Sequence, residues 1–429
     1  MRKMKIAIIG AGSTYSPELV SGLIDHQDSL ELGSIFFMDI DEKKNQTVSG
    51  LSRRMLKNAG MGHVQTVLTA DIHEAVDGAD YVLTQIRVGG LEARIRDETI
   101  PLRYGLLGQE TTGAGGFMKG MRTIPVMMNI AHAIERGAPE AFLINFTNPS
   151  GLITETLLNY TKVKAIGLCN CPINMIARMK AFLHAGEDFD YDFLGLNHLS
   201  FLTAAYVNGE DRLGKLLSMK LSESGLGEVL DAGYDDVLLS IIRAIPCSYL
   251  QYYYFRQDRV DKCIYAGQTR GEACLDIEKD LLAQYADTSL VTKPAGLDKR
   301  GGARYSEAAI ALIDAIENDL NNVQTVDVQN AGALPFLKDS DVVEIKCRIG
   351  KHGATPVAPR HFDNDHIIGL IQAVKAYERL AAKAGVEGSY DAALAALLTH
   401  PLIGDARPAK AVLDAMLKAN ASYLPQFFG

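Results

Sequence analysis

The chain has 429 residues, 47% hydrophobic and 22% charged, the balance of an ordinary folded globular protein; a disordered chain, a fibrous repeat and a disulfide miniprotein are excluded. At roughly 100–200 residues per domain, this length suggests two or three domains. Lys and Arg number 43 against 52 Asp and Glu, a net charge of -9 with no basic block to follow a phosphate backbone, so nucleic acid is not an expected partner. Six cysteines (Cys169, Cys171, Cys247, Cys263, Cys274, Cys347) are scattered without a CxxC pair, which favours a reducing compartment. Basic residues precede the apolar run 6–9, but that run is short for a secretion signal and Gly10-Ala11-Gly12-Ser13 interrupts it. No stretch approaches the ~18–20 apolar residues of a membrane span, so the expected location is the cytoplasm, with no membrane partner.

In chain order, short apolar runs at 5–9, 34–39, 81–86, 141–146 and 164–169 alternate with amphipathic segments, the pattern of strands and crossover helices in a parallel sheet. Between the first two runs, Ser16 is positioned to cap a helix with Pro17 and Glu18 in its first turn. Leu19, Val20, Leu23 and Ile24 form its buried stripe. Past residue 170 the alternation gives way to longer helical stretches, 306–318 and 366–382, with strand-like runs such as 342–347. This predicts a second, α+β domain with an extensive interface to the first, and no flexible linker separates the two.

Gly10-x-Gly12 follows the first strand and opens a helix, the turn that lets backbone amides approach a pyrophosphate, and Asp39 ends the next strand where a ribose diol would lie. Tyr15 stands where the usual third glycine falls, so a strand–helix turn without phosphate remains the alternative reading of these residues alone. Cys169, at the end of the fifth run, and His198 are types that hold a divalent metal while leaving positions open. Their spacing of 29 residues proves nothing, and from these residues alone a packed thiol and a hydrogen-bonded imidazole are the favoured reading. The polar, glycine-rich 108–116 segment belongs in a loop close to ligand or backbone. The aromatic run from Tyr249 to Tyr254 is compatible with simple packing.

Together these segments resemble the NAD- and manganese-dependent family 4 glycoside hydrolases, and within them the members acting on 6-phospho-β-glucosides. The likeness runs across nearly the whole chain. It includes Gly10-Ala11-Gly12-Ser13-Thr14-Tyr15-Ser16-Pro17-Glu18, Ile86-Arg87-Val88-Gly89-Gly90, Arg94 before Asp97-Glu98, the 108–116 loop and Asn145-Phe146-Thr147-Asn148-Pro149. It continues through Cys169-Asn170, Asn197-His198, Ser248-Tyr249-Leu250-Gln251, Thr269-Arg270, Arg300-Gly301-Gly302-Ala303 and Asn330-Ala331-Gly332. The resemblance implies an α/β fold: a Rossmann-type doubly wound parallel sheet related to malate and lactate dehydrogenases (1–170), then a C-terminal α+β domain completing the site (171–429). It implies that Gly10, Gly12, Ser13, Thr14 and Asp39 hold NAD, that Cys169 and His198 hold Mn2+ or another divalent metal, and that Tyr249 is the catalytic base. Arg94, Asn148, Asn170 and Arg270 match substrate contacts, Arg270 as phosphate partner. Ala11 replaces a usual glycine, and Cys171 stands where an aliphatic residue is expected and is taken as a bystander.

The implied chemistry is hydrolysis by transient oxidation. Oxidising the sugar C3 makes the C2 hydrogen acidic enough for Tyr249 to remove, the C1 substituent leaves, water adds, and the hydride returns to C3. Ordinary glycosidases instead use two carboxylates, and the NAD-dependent family is an exception. Asn170 and the Arg300-Gly301-Gly302-Ala303 run look like the β-specific branch, since related α-specific chains often carry Asp after the metal cysteine. The expected partner is a phosphorylated disaccharide or β-glucoside, and the family implies a homodimer or homotetramer. Two alternatives stand beside this: an NAD-dependent hydroxy-acid dehydrogenase, which would accumulate NADH, and a non-catalytic NAD-sensing regulator, which would turn over nothing.

Overall fold

The first apolar run forms strand β1 (Met4–Ile9), with Ile6, Ala7 and Ile8 wholly buried. Around it the chain lays down β2 (Leu32–Met38), β3 (Gln65–Thr69), β4 (Tyr81–Thr84), β5 (Phe142–Asn145) and β6 (Lys164–Gly167). These ranges come from a computed structural model that describes residues 3–428 apart from 232 and 301–304. All six strands pair in parallel, in the order β6-β5-β4-β1-β2-β3. That is the doubly wound order of a dinucleotide-binding sheet, whose ligand crevice opens at the carboxyl ends beside β1 and β4.

Several expectations are corrected. Strand β3 has no counterpart among the five apolar runs, because it is a partly exposed edge strand of mixed polarity. The runs expected at 81–86, 141–146 and 164–169 end as strands two, one and two residues earlier, so Gln85, Ile86, Phe146, Leu168 and Cys169 belong to the loops at the crevice. Ser16 does not cap the helix Ser16–Asp25. Tyr15 occupies that position without a side-chain bond, because the turn curls back on itself and directs the Ser16 hydroxyl to Ala11 O (2.7 Å), where it also accepts from Gln85 Nε2 (2.7 Å). Leu19, Val20 and Leu23 are buried, and Ile24 is half-buried.

Beyond residue 170 come β7 (Phe189–Leu196), β8 (Leu199–Val207), β9 (Glu210–Asp211) and β10 (Ile245–Pro246), which form a second, antiparallel sheet. Then β11 (Asn322–Gln329), β12 (Val342–Gly350) and β13 (Gly353–Pro356) return to the first sheet. They add to it antiparallel from β6, so that among the described residues it has nine strands. The main sheet therefore crosses the boundary at 170, and the C-terminal region is built partly onto the Rossmann layer. The helices expected at 306–318 and 366–382 are Tyr305–Glu317 and Asp365–Glu387; Asn364 caps the second by accepting from His366 N and Ile367 N. No described helix is long and apolar enough to cross a membrane.

A buried ion pair ties these layers together. Arg122 forks onto Asp97 (Nη1–Oδ1 2.8 Å, Nη2–Oδ2 2.6 Å), and Nη1 also donates to Asn420 Oδ1 (3.0 Å). Both charged side chains are sealed from solvent. Arg122→Ala strands a buried carboxylate, so it is expected to cost about 3–5 kcal/mol in urea denaturation, far more than loss of an exposed pair such as Lys410–Asp414.

Candidate functional site

At the carboxyl end of β1 the turn is built on glycine. Gly10 has φ +86°, and a Cβ on Gly12 would lie 2.8 Å from Asp39 Oδ2, which accepts the Gly12 amide at 2.8 Å. Asp39 Oδ1 takes the Asp41 amide at 2.9 Å, so the carboxylate is oriented by backbone on both sides. Ser13 is half-buried and its hydroxyl accepts from Tyr15 N (3.3 Å). Thr14 faces the interior: its hydroxyl is buried with no partner among the described residues, while Tyr285 donates to its carbonyl at 2.8 Å. Of the five residues matched to NAD, four thus form the turn and its acidic partner, and Thr14 lies beneath them. A turn in which no side chain can be added at Gly12 fits the close backbone approach of a pyrophosphate.

Across the crevice, Cys169 sits at the N-cap of the helix Asn170–Phe182 and its Sγ accepts from Cys171 N at 3.4 Å. His198 occupies the tight turn between β7 and β8, at φ +64°, a left-handed conformation in which histidine is enriched among non-glycine residues. Strand β10 pairs with β8 at Pro246 and Phe201, and Cys247 N then bonds Ser200 O at 2.9 Å. That pairing carries the 3-10 turn Ser248–Leu250 back over the hairpin and lays the Tyr249 ring on His198, with centroids 3.8 Å apart and 17° between planes. Burial, then the charge of Cys169, holds the Tyr249 phenol well above its usual range. Burial, then Glu344, likewise raises the Cys169 thiol.

His198 is pushed down to about 3, by burial first and then by Lys119, so its imidazole is neutral and its lone pair available. One sulfur and one imidazole, with no third acidic, thiol or imidazole ligand grouped with them among the described residues, make a two-residue donor set that leaves positions open to oxygen ligands. A divalent cation, if held by Cys169 and His198, would supply positive charge that favours the thiolate and the phenolate. His400 is also pushed down to about 3 by burial. Both imidazoles stay neutral in the folded state and become protonated on unfolding below about pH 6.5. Their contribution therefore makes stability fall as pH drops from about 6.5 towards 3, a decline expected in melting curves across that range and shallower in His400→Gln.

The 108–112 loop supplies a group that motif reading passed over. Glu110 accepts from Arg94 Nη1 (2.8 Å) and Lys119 Nζ (2.9 Å) and pairs with Arg87. Burial pushes the Glu110 carboxyl up, but Arg87, Lys119 and Arg94 outweigh it and hold the group well below the usual range. The expected loop is shorter than 108–116, because Gly113–Gly116 form the first turn of the helix Gly113–Gly137; both parts press on backbone, so that a Cβ on Gly108 would lie 1.9 Å from Glu98 O and one on Gly115 2.2 Å from Gln109 O. Arg94 Nε also donates to Glu98 Oε1 (2.7 Å), and Glu98 Oε2 takes the Gly271 amide (2.7 Å) at the start of the helix Arg270–Ala286. Glu98 thus links Arg94 to the element that carries Arg270, an exposed residue.

Asn148 and Asn170 are half-buried, Asn148 accepting from Ser150 N at 3.4 Å and Asn170 opening its helix. Cys171 is buried, with Met175 Sδ and Ser248 Oγ each 3.9 Å from its sulfur. Of the Arg300-Gly301-Gly302-Ala303 motif, residues 301–303 lie outside the described residues.

Residues 5–185 match the family 4 glycosyl hydrolase model, and residues 193–403 match the model of its C-terminal domain. The chain belongs to the family 4 glycosyl hydrolases. Among family members, a probable 6-phospho-beta-glucosidase of Bacillus subtilis is 40% identical over 435 residues, covering 99% of this chain and 98% of its own. A solved 6-phospho-beta-glucosidase from Thermotoga maritima, with manganese, NAD+ and glucose-6-phosphate, superposes with a TM-score of 0.88 at 36% identity over 98% of this chain and 99% of that one. The malate dehydrogenase of Plasmodium falciparum shares the fold alone, with a TM-score of 0.54 at 16% identity over 89% of this chain and 99% of its own.

Proposed function

We propose that this protein hydrolyses 6-phospho-β-glucosides to glucose 6-phosphate and an aglycone or sugar, with NAD and a divalent cation as cofactors. The observation that most supports the reading is the stack of the Tyr249 ring on His198, which would set a proton acceptor beside a cation held by His198 and Cys169. Bound NAD supplies a reversible hydride acceptor for a sugar hydroxyl, and a bound divalent cation a Lewis acid for the resulting carbonyl. Cys169 and His198 would hold the cation; Gly10, Gly12, Ser13 and Asp39 would hold NAD. Tyr249 removes the proton from C2, next to the oxidised carbon. Arg94, oriented by Glu98 and Glu110, and Asn148 position the sugar. Asn170 has no acidic proton to donate, so it orients the leaving group without protonating it.

Arg270 is the phosphate partner in this reading, its guanidinium fork matching phosphate geometry. Because it is exposed, its removal belongs at the low end of the range for a lost charge partner, about 2 kcal/mol or roughly thirtyfold in kcat/KM. Arg270→Ala is expected to show that loss with phosphorylated substrates. Equal wild-type activity on glucosides with and without the 6-phosphate overturns the phosphate assignment.

The test of the function is turnover of aryl 6-phospho-β-glucosides with NAD and Mn2+. Hydrolysis without net NADH is expected; accumulation of NADH points to a dehydrogenase, and no turnover to a regulator. None of the six cysteines forms a disulfide, which supports placing the protein in the cytoplasm.

A further inference from the structure

Behind Cys169 and His198 lies a layer of buried polar side chains that this chemistry leaves unused. Asp327 on β11 and Glu344 on β12 are cross-strand partners, each 1% exposed. Ser150 Oγ donates to Asp327 Oδ2 at 2.7 Å, and Asn197 Nδ2 donates to Glu344 Oε1 at 3.0 Å. The remaining oxygens, Asp327 Oδ1 and Glu344 Oε2, are buried without a close donor among the described residues, as is the Ser200 hydroxyl beside Glu344. Two facing carboxylates sealed from water do not both stay ionised, and one proton shared between the orphaned oxygens satisfies both. Burial raises both carboxyls, in keeping with such a pair.

Glu344 reaches the His198 turn through Asn197. Asn197 and His198 are the two residues of the β7–β8 turn, since Leu196 and Leu199 close the ladder. His198 holds a left-handed backbone there, a conformation that persists only where its surroundings determine it. The Tyr249 ring fixes the imidazole on one side. Asn197 is fixed by Glu344 and by the helix Ser150–Tyr160, which packs so closely that a Cβ on Gly151 would come within 2.9 Å of Asn197 Cβ.

We propose that Glu344 is a positioning residue: by holding the Asn197 amide it fixes the His198 turn and so the direction in which the imidazole presents its lone pair to a divalent cation. The inference rests on Cys169 and His198 being the cation's ligands. Residues that orient metal ligands from behind typically govern affinity by about 10–100-fold. Glutamine keeps an oxygen for Asn197 and offers an amide N–H to Asp327 in place of the shared proton; alanine leaves both partners stranded.

The test is Mn2+ binding by the full chain, titrated by electron paramagnetic resonance of the free ion, with NAD affinity and melting temperature measured in parallel. Glu344→Ala is expected to weaken Mn2+ binding about 10–100-fold with NAD affinity unchanged. Glu344→Gln is expected to stay within about threefold of wild type, because the hydrogen bonds survive. Asn197→Ala is expected to match Glu344→Ala, and the double variant to add little, because both remove one link. Wild-type Mn2+ affinity in folded Glu344→Ala overturns the proposal. So do a loss in Glu344→Gln equal to that in Glu344→Ala, and additive losses in the double variant. If Glu344→Ala does not fold, wild-type affinity in Asn197→Ala overturns it. Binding in the wild type that Cys169→Ser leaves unchanged overturns the cation site itself, a failure distinct from that of Glu344 alone.

Discussion

Tyr249→Phe is expected to lower turnover by about 10²–10⁴-fold while NAD and Mn2+ still bind, because only the proton acceptor is removed. The ring itself stays: its face packs on His198 at 3.8 Å, and phenylalanine preserves that stack. The same substitution separates the oxidation-dependent route from two-carboxylate hydrolysis. If C2 is deprotonated after C3 is oxidised, hydrolysis in heavy water places deuterium at C2 of the released sugar phosphate, since the abstracted proton exchanges with solvent. Tyr249→Phe must then lose exchange and turnover together. A two-carboxylate enzyme leaves C2 untouched. Product free of deuterium at C2, from wild-type enzyme that requires NAD, removes Tyr249 from its role. Because C–H cleavage limits such a route, leaving-group ability should matter less than in ordinary glycosidases, and a thioglycoside should be cleaved as well.

The route from residues to this site was partly legible in the chain. Strands β1, β2, β4, β5 and β6 are marked by apolar runs, because both faces of a parallel sheet are buried and the whole segment must be hydrophobic. Strand β3 carries no such mark, since an edge strand half-open to water tolerates Gln65 and Thr66. The return of β11–β13 to the first sheet depends on Asp327 pairing with Gly167, a contact across 160 residues that no local pattern records. Cys169 and His198 were ambiguous for a similar reason. Their spacing says nothing, and only the pairing of β10 with β8, which brings Tyr249 over the hairpin turn onto His198, sets the imidazole in a context that supports the proposed role. Glu110 stood in plain view in a glycine-rich loop, but its importance comes from three cations delivered by other segments. Glu344 was the least visible, a polar residue in a strand whose partner is an asparagine 147 positions away.

Cys169→Ser and His198→Ala are each expected to lose turnover and to lower Mn2+ affinity far below that of the wild type. With two protein ligands, loss of either leaves a single donor, and one side chain does not hold a divalent ion against water and chelator. The two variants should nevertheless differ. Serine keeps the size of the side chain but replaces a soft sulfur with a hydroxyl that does not ionise in a buried setting. Loss of the imidazole instead removes the surface on which Tyr249 stacks, so His198→Ala should also disturb the base and should not be restored by raising the Mn2+ concentration. Cys169→Ser should recover in part at high Mn2+. In the wild type, activity should fall under oxidants and return with thiol reductants, because a thiolate ligand is lost on oxidation. Cys171→Val should stay active, since its sulfur lies 3.9 Å from Met175 Sδ and Ser248 Oγ and hydrogen-bonds the Cys247 thiol, none of them an expected ligand. If Cys171→Val abolishes Mn2+ binding while Cys169→Ser does not, the ligand is the second thiol; full activity of Cys169→Ser under chelation means that neither thiol holds a metal the reaction needs.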